Sequence, residues 1–278
     1  MKFCETSILW KTDASTKGKL VPITLLHPCD LSNVTGIISI GIGSSVTTAR
    51  HILSGLGRTD FVIALWPFEA FPPDKTSLYY VCEEAPFQVI AWLKLQGCTI
   101  TRAIGHSQGA NVLIAHAAKY PHSLEKIALM SPTLTPENWP KSYAATRVIA
   151  GLALNGVYFS FSRDVEDKRT AKEAKGYLLG ELKQRTHGLH NRLSESFMSA
   201  LDGGLSSATQ KILARGKPRL NLYCGAVDFV SSVRLIARAL QIPKESIHIL
   251  PGGHTSLSSI KGEAQLAEVL RQLSSIKD

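Results

Sequence analysis

A serine stands between two glycines in Gly105-His106-Ser107-Gln108-Gly109, directly after the β-branched run Ile100 to Ile104 and directly before the Ala-rich run Ala110 to Lys119. A serine at the tip of so tight a strand-to-helix turn is held in a strained backbone, and the residues two before and two after it must be small. Gly105 and Gly109 meet that demand. The chemistry predicted is attack by the Ser107 hydroxyl on a carbonyl. The Gln108 N–H, at a helix N-terminus, would donate to the oxyanion that forms. A bare G-x-S-x-G in a surface loop would carry none of this; the flanking strand and helix give the motif its meaning.

A serine hydroxyl is a poor nucleophile, so a base must lie within hydrogen-bond reach and a carboxylate should orient that base. Asp228 ends Gly225-Ala226-Val227-Asp228 after the Leu220 to Cys224 run, and His254 ends Pro251-Gly252-Gly253-His254 after the Ile247 to Leu250 run. Each is expected to leave the carboxyl end of its own parallel strand, the edge at which α/β sheets build sites. The competing readings are a helix N-cap for Asp228 and an ordinary loop histidine for His254. Glu137 is the fallback acid.

Those residues need a scaffold. Ser7 to Trp10 and Leu20 to Leu25 flank a polar stretch, the pattern of an N-terminal β-hairpin. Short β-branched runs then alternate with helix-length segments: Ile37 to Ile40, Phe61 to Leu65, Ile100 to Ile104, Ile127 to Met130. That rhythm predicts an α/β fold with a mostly parallel sheet covered on both faces. Pro86 is expected in the first turn of a helix that Gly97 closes, and further helices are expected over Val233 to Gln241 and along the Leu266, Val269, Leu270, Leu273, Ile276 stripe.

Between Thr135 and Arg219 the rhythm stops, and the stretch reads as helices with polar joints. The expected organisation is a core over 1–134, an inserted helical lid over 135–219, and the remaining core over 220–278. The lid carries 14 Lys and Arg against 8 acids, so +6 of the net +9 lies there. That excess fits recruitment of an anionic group and fits a solvated helix face equally.

Taken together, these motifs resemble the α/β-hydrolase-fold serine hydrolases: Ser107 in the elbow, a helical insertion after the next strand, then Asp228 and His254 in the Ser, Asp, His chain order. The resemblance covers essentially the whole chain. It implies a catalytic Ser107, His254 and Asp228, and a second oxyanion donor from the Gly41-Ile42-Gly43 loop, best matched by the Ile42 N–H, with Gly41 beside the substrate. Where relatives have His-Gly at this strand end, the chain has Ile40-Gly41. Their polar loop after the fourth strand is replaced by Trp66-Pro67-Phe68-Glu69-Ala70-Phe71, read as an apolar wall. Trp66, Phe68 and Phe71, with Tyr158 and Phe159 of the lid, are the expected substrate-binding residues.

Other chemistries have little foothold. Gly41-Ile42-Gly43-Ser44-Ser45-Val46 lacks the third glycine of a dinucleotide loop. No G-x-x-x-x-G-K-[ST] or H-E-x-x-H occurs, and the remaining histidines lack metal-ligand grouping. His106 reads as a packing residue that points away from Ser107. Nucleic-acid binding would want aromatics interleaved with the basic stripe, but most of the lid's aromatics fall in apolar runs. No cofactor and no metal are expected.

The apolar fraction of 44% with 19% charged residues excludes a disordered chain. The longest apolar stretch, Val148 to Phe161, is short of the ~20 residues needed to span a bilayer. Five scattered cysteines predict reduced thiols, and the absence of an apolar run before Lys11 predicts a cytoplasmic address. The function expected is hydrolysis of a carboxylic ester or lactone of a largely hydrophobic small molecule through an acyl-enzyme. The alternatives are a thioesterase, a C–C bond hydrolase or an acyltransferase with the same triad, and a receptor with a vestigial one.

Overall fold

Alternate residues of a strand point to opposite faces of the sheet, and in the central strands both sets are apolar. Ile37, Ala103, Ile127 and Leu129 join one buried cluster, while Ile38, Ile104, Ala128 and Met130 join the other. A sheet written this way has to be covered on both sides. The computed structural model describes residues 2–12, 18–41, 45–67, 70, 75–133, 150, 151, 154, 204–254 and 260–275.

The strands are β1 (Phe3–Lys11), β2 (Leu20–Pro28), β3 (Gly36–Ser39), β4 (Phe61–Leu65), β5 (Arg102–His106), β6 (Lys126–Met130), β7 (Arg219–Gly225) and β8 (Ile247–Leu250). They form one sheet in the order β1-β2-β4-β3-β5-β6-β7-β8. The β1/β2 hairpin and the β2/β4 pair are antiparallel, and every later pair is parallel. The described helices are α1 (Val46–Leu56), α2 (Lys75–Leu95), α3 (Gln108–Lys119), α4 (Gly204–Arg215), α5 (Val233–Leu240) and α6 (Ile260–Ser275). Ile52 and Leu53 of α1 meet Leu266, Val269, Leu270 and Leu273 of α6 in the cluster on one face. Apolar residues of α2, α3, α4 and α5 fill the other. This doubly covered, mostly parallel sheet is the α/β architecture that the strand rhythm predicts.

Helix α4 falls within the span read as the insertion, yet its Leu205, Ala208 and Ile212 are buried in the same cluster as α3. Among the described residues no helix is long and apolar enough to cross a membrane.

Two expectations are corrected. Pro86 lies inside α2 rather than in its first turn. An interior proline costs about 3 kcal/mol, but the stripe Val81, Ala85, Val89, Leu93 runs through it fully buried. Val81, Val89 and Leu93 each contribute roughly 1.5–3 kcal/mol on burial, so the packing outweighs the lost hydrogen bond. The second correction concerns the thiols: Cys4 and Cys29 form a disulfide, with Cα atoms 5.0 Å apart. The hairpin register pairs Cys4 with His27, and Cys29 follows two positions later, its N–H donating to the Lys2 carbonyl at 3.3 Å. Spacing along the chain conceals this contact, because only the strand register creates it. Cys82, Cys98 and Cys224 are free and buried.

Candidate active site

Strand β5 runs on through Gly105 and His106, and α3 starts at Gln108, so the whole reversal of the chain is left to Ser107. Its backbone is at φ 54°, ψ −123°, a conformation that L-residues rarely adopt and that needs surrounding structure to hold it. The Ser107 N–H donates to the Met130 carbonyl at 2.9 Å, which ties the turn to β6. The two glycines are there for space. A Cβ on Gly105 would lie 2.5 Å from the Ala110 Cα, and one on Gly109 would collide with the Ser39 carbonyl.

Two further loops leave the same edge of the sheet and are stitched together. The Ala226 N–H donates to the Leu250 carbonyl at 2.8 Å and the Val227 N–H to the Gly252 carbonyl at 3.0 Å. Asp228 and His254 are thereby held side by side: His254 Nδ1 is 3.0 Å from Asp228 Oδ2. Across the ring, His254 Nε2 is 3.3 Å from Ser107 Oγ. The three residues form one hydrogen-bonded succession from carboxylate to imidazole to hydroxyl.

The Asp228 side chain is fully shielded from solvent. Its Oδ1 accepts from the N–H groups of Val230 at 2.9 Å and Ser231 at 2.7 Å. Burial pushes this carboxyl up. The neighbouring His254, with the hydrogen bonds from His254, Ser231 and Ser131, more than offsets that and holds it below the ordinary carboxylate range. An ionised acid beside Nδ1 keeps the ring proton on that nitrogen and leaves Nε2 free to accept a proton from Ser107.

Behind the serine, the Gln108 side chain is buried. Its Oε1 accepts from Asn111 Nδ2 at 3.0 Å, and the same Nδ2 donates to the Thr133 carbonyl at 3.0 Å. The start of α3, where the Gln108 N–H emerges, is thus braced against the loop after β6. Gly41 is adjacent: a Cβ built on it would lie 3.4 Å from Ser107 Cβ. The Trp66 indole N–H donates to Ser39 Oγ at 2.7 Å, which anchors the ring against the buried cluster beneath. The His106 ring, read as turned away from the serine, stands 5.3 Å from the His254 ring and packs beside the base. Gly151 closes on the acid loop, because a Cβ there would sit 2.6 Å from the Phe229 carbonyl oxygen. Ile42, Phe68, Phe71, Glu137, Tyr158 and Phe159 lie outside the described residues.

The structure therefore brings together Ser107, Gln108, Asp228, His254 and Gly41. It adds Ser131, Ser231, Asn111, Thr133 and Ser39, small polar residues with no motif around them to signal a role. Such an arrangement can move a proton from a hydroxyl to an imidazole and stabilise the charge that results.

No family model matches the sequence, and no curated protein sequence matches it. Solved structures do. The 2-hydroxy-6-oxo-6-phenylhexa-2,4-dienoate hydrolase from Rhodococcus sp. strain RHA1 has a TM-score of 0.64 at 13% identity, over 99% of this chain and 99% of that one. A thioesterase domain from the curacin biosynthetic pathway has a TM-score of 0.58 at 14% identity, covering 98% of this chain and 100% of its own. A thermostable carboxyl esterase from Bacillus coagulans has a TM-score of 0.57 at 12% identity, over 98% and 99%. Similarity at this level is one of fold, and the fold is that of the α/β-hydrolases.

Proposed function

We propose that this chain of α/β-hydrolase fold is a serine hydrolase that cleaves a carboxylic ester or lactone of a largely hydrophobic small molecule. The observation that carries the reading is the unbroken succession from Asp228 through His254 to Ser107, with contacts of 3.0 and 3.3 Å. In this reading His254 Nε2 takes the Ser107 proton as Oγ attacks the carbonyl carbon, and the carbonyl oxygen becomes an oxyanion facing the Gln108 N–H, with the Ile42 N–H as the second donor. His254 then gives its proton to the leaving oxygen, which breaks the ester bond and leaves an acyl group on Ser107. Water, deprotonated by the same imidazole, attacks the acyl carbon and releases the acid and the free serine. Asp228 stays ionised throughout.

The relay is indifferent to the atom that leaves, and the names of the structural neighbours include both an esterase and a thioesterase. The substrate class is therefore set by the residues around the relay, not by the relay itself. The Cys4–Cys29 bridge bears on the address of the protein, since disulfides persist in oxidising compartments and are rare in the cytosol. It favours an oxidising compartment over the cytoplasm.

The experiment is a panel of p-nitrophenyl esters and acyl-CoAs, combined with intact-mass detection of a fluorophosphonate adduct. We expect ester turnover and one adduct, both abolished in Ser107→Ala. An adduct that survives in Ser107→Ala, or a wild-type protein that neither labels nor turns over any member of the panel, would remove the reading.

A further inference from the structure

His254 Nδ1 has two oxygen neighbours. Asp228 Oδ2 lies at 3.0 Å and Ser231 Oγ at 3.2 Å. A serine hydroxyl carries one proton and two lone pairs, so what it offers the imidazole depends on where its proton goes. The Ser131 main-chain carbonyl is 3.0 Å from Ser231 Oγ, and a carbonyl can only accept. The hydroxyl proton is committed to Ser131, and a lone pair is left facing Nδ1.

The backbone of Ser131 sets that carbonyl's direction. Ser131 is the first residue after β6 and sits at φ 43°, and its N–H donates to the Tyr223 carbonyl at 2.7 Å. A non-glycine residue in the left-handed region is held there by its surroundings. Both serines are buried, Ser131 at 6% and Ser231 at 1% exposure, so bulk water does not compete for the hydroxyl. The Ser231 N–H meanwhile donates to Asp228 Oδ1 at 2.7 Å, so one residue grips both the acid and the ring that the acid orients. The groups facing His254 are then Ser107, Asp228, Ser231 and the His106 ring at 5.3 Å.

We infer that Ser231 is a positioning residue: its Oγ, with the hydroxyl proton drawn off by the Ser131 carbonyl, is a second acceptor for the His254 Nδ1–H. It fixes the ring plane and shares the positive charge that appears when Nε2 takes the Ser107 proton. The inference rests on the serine-hydrolase reading for its catalytic consequence, but the hydrogen bond itself exists without substrate.

The test compares wild type, Ser231→Ala, Ser231→Thr and Ser231→Cys on a p-nitrophenyl ester. Loss of one acceptor to a charged donor predicts about a tenfold fall in kcat for Ser231→Ala with KM little changed. The acid limb of the rate profile should move to lower pH, because the protonated ring has lost a partner, and Ser231→Thr should restore most of both. NMR titration of the His254 ring in the free protein should show the same downward displacement. If Ser231→Ala does not fold, Ser231→Cys, whose sulfur is a weak acceptor of similar size, is read for the same changes. Unchanged kcat together with an unchanged ring titration would overturn the inference. A wild type with no turnover would instead defeat the hydrolase reading, and the ring titration alone would then decide the role of Ser231.

Discussion

Trp66 and Ser39, one after β4 and the other at the end of β3, are joined by a 2.7 Å bond from the indole N–H to the serine Oγ. The same hydroxyl donates to the Gly109 carbonyl at 2.9 Å. A buried side chain with no place in the proton relay thus couples the loop after β4 to the first turn of α3. Removing one partner of a buried hydrogen bond costs about 1–3 kcal/mol, because the other is left unsatisfied. Ser39→Ala and Trp66→Phe should each lower the denaturant midpoint, and the double variant should lose less than the sum. Strict additivity would mean the two residues do not share the bond.

Asp228→Asn keeps the shape of the acid loop but replaces an acceptor next to Nδ1 with a group that can donate. The ring would then favour the tautomer protonated on Nε2, which cannot take a proton from Ser107. Turnover should fall by about 10⁴-fold with the fold retained. Steady-state kinetics beside a melting curve checks this, and a variant within tenfold of wild type would show that Asp228 is not the orienting acid. The direction of its shift has a stability consequence too. A carboxyl held below its ordinary value of 3.8 contributes stability that is present at neutral pH and disappears as pH falls through the folded-state value.

His116 makes the opposite kind of prediction. It is fully buried in α3, with Nδ1 2.9 Å from the Glu83 carbonyl and Nε2 2.8 Å from Ser123 Oγ. Burial pushes its pKa down from 6.5 to about 4, against the pull of the Glu83 carbonyl. In the window between those values the unfolded chain binds a proton that the folded chain refuses, so stability falls as pH drops from 6.5 to about 4. The loss amounts to roughly 3 kcal/mol over the window. Melting temperatures of wild type and His116→Gln across that range should converge toward acid. Parallel curves would place the acid sensitivity elsewhere.

The Cys4–Cys29 bridge closes a loop of 25 positions around the edge hairpin. Constraining a loop of that length in the unfolded chain stabilises the fold by roughly 3 kcal/mol. Reductant should therefore lower the melting temperature and add the mass of two hydrogens. Cys82, Cys98 and Cys224 should stay unmodified by an alkylating agent until the protein unfolds, since burial raises all three thiols. Identical melts with and without reductant, with two thiols open to native-state alkylation, would show the bridge does not form.

The residues themselves determined more of this protein than its length would suggest. Short continuous apolar runs such as Ile127 to Met130, each between helical segments, dictate strand and helix, and two small residues around Ser107 dictate a tight turn, because both are local consequences of side-chain size and water avoidance. The chain order of Ser107, Asp228 and His254 then points to one edge of a parallel sheet. Tertiary structure decided what depends on register and close approach: the pairing of Cys4 with Cys29, the long α2 that runs through Pro86, the packing of the His106 ring, tilted, beside His254, and the Ser131 and Ser231 pair on the far side of the imidazole. Some of those contacts join positions 100 residues apart and more, through groups that many segments of the chain possess. No local pattern marks which of them will meet, because the meeting is set by the packing of the whole sheet.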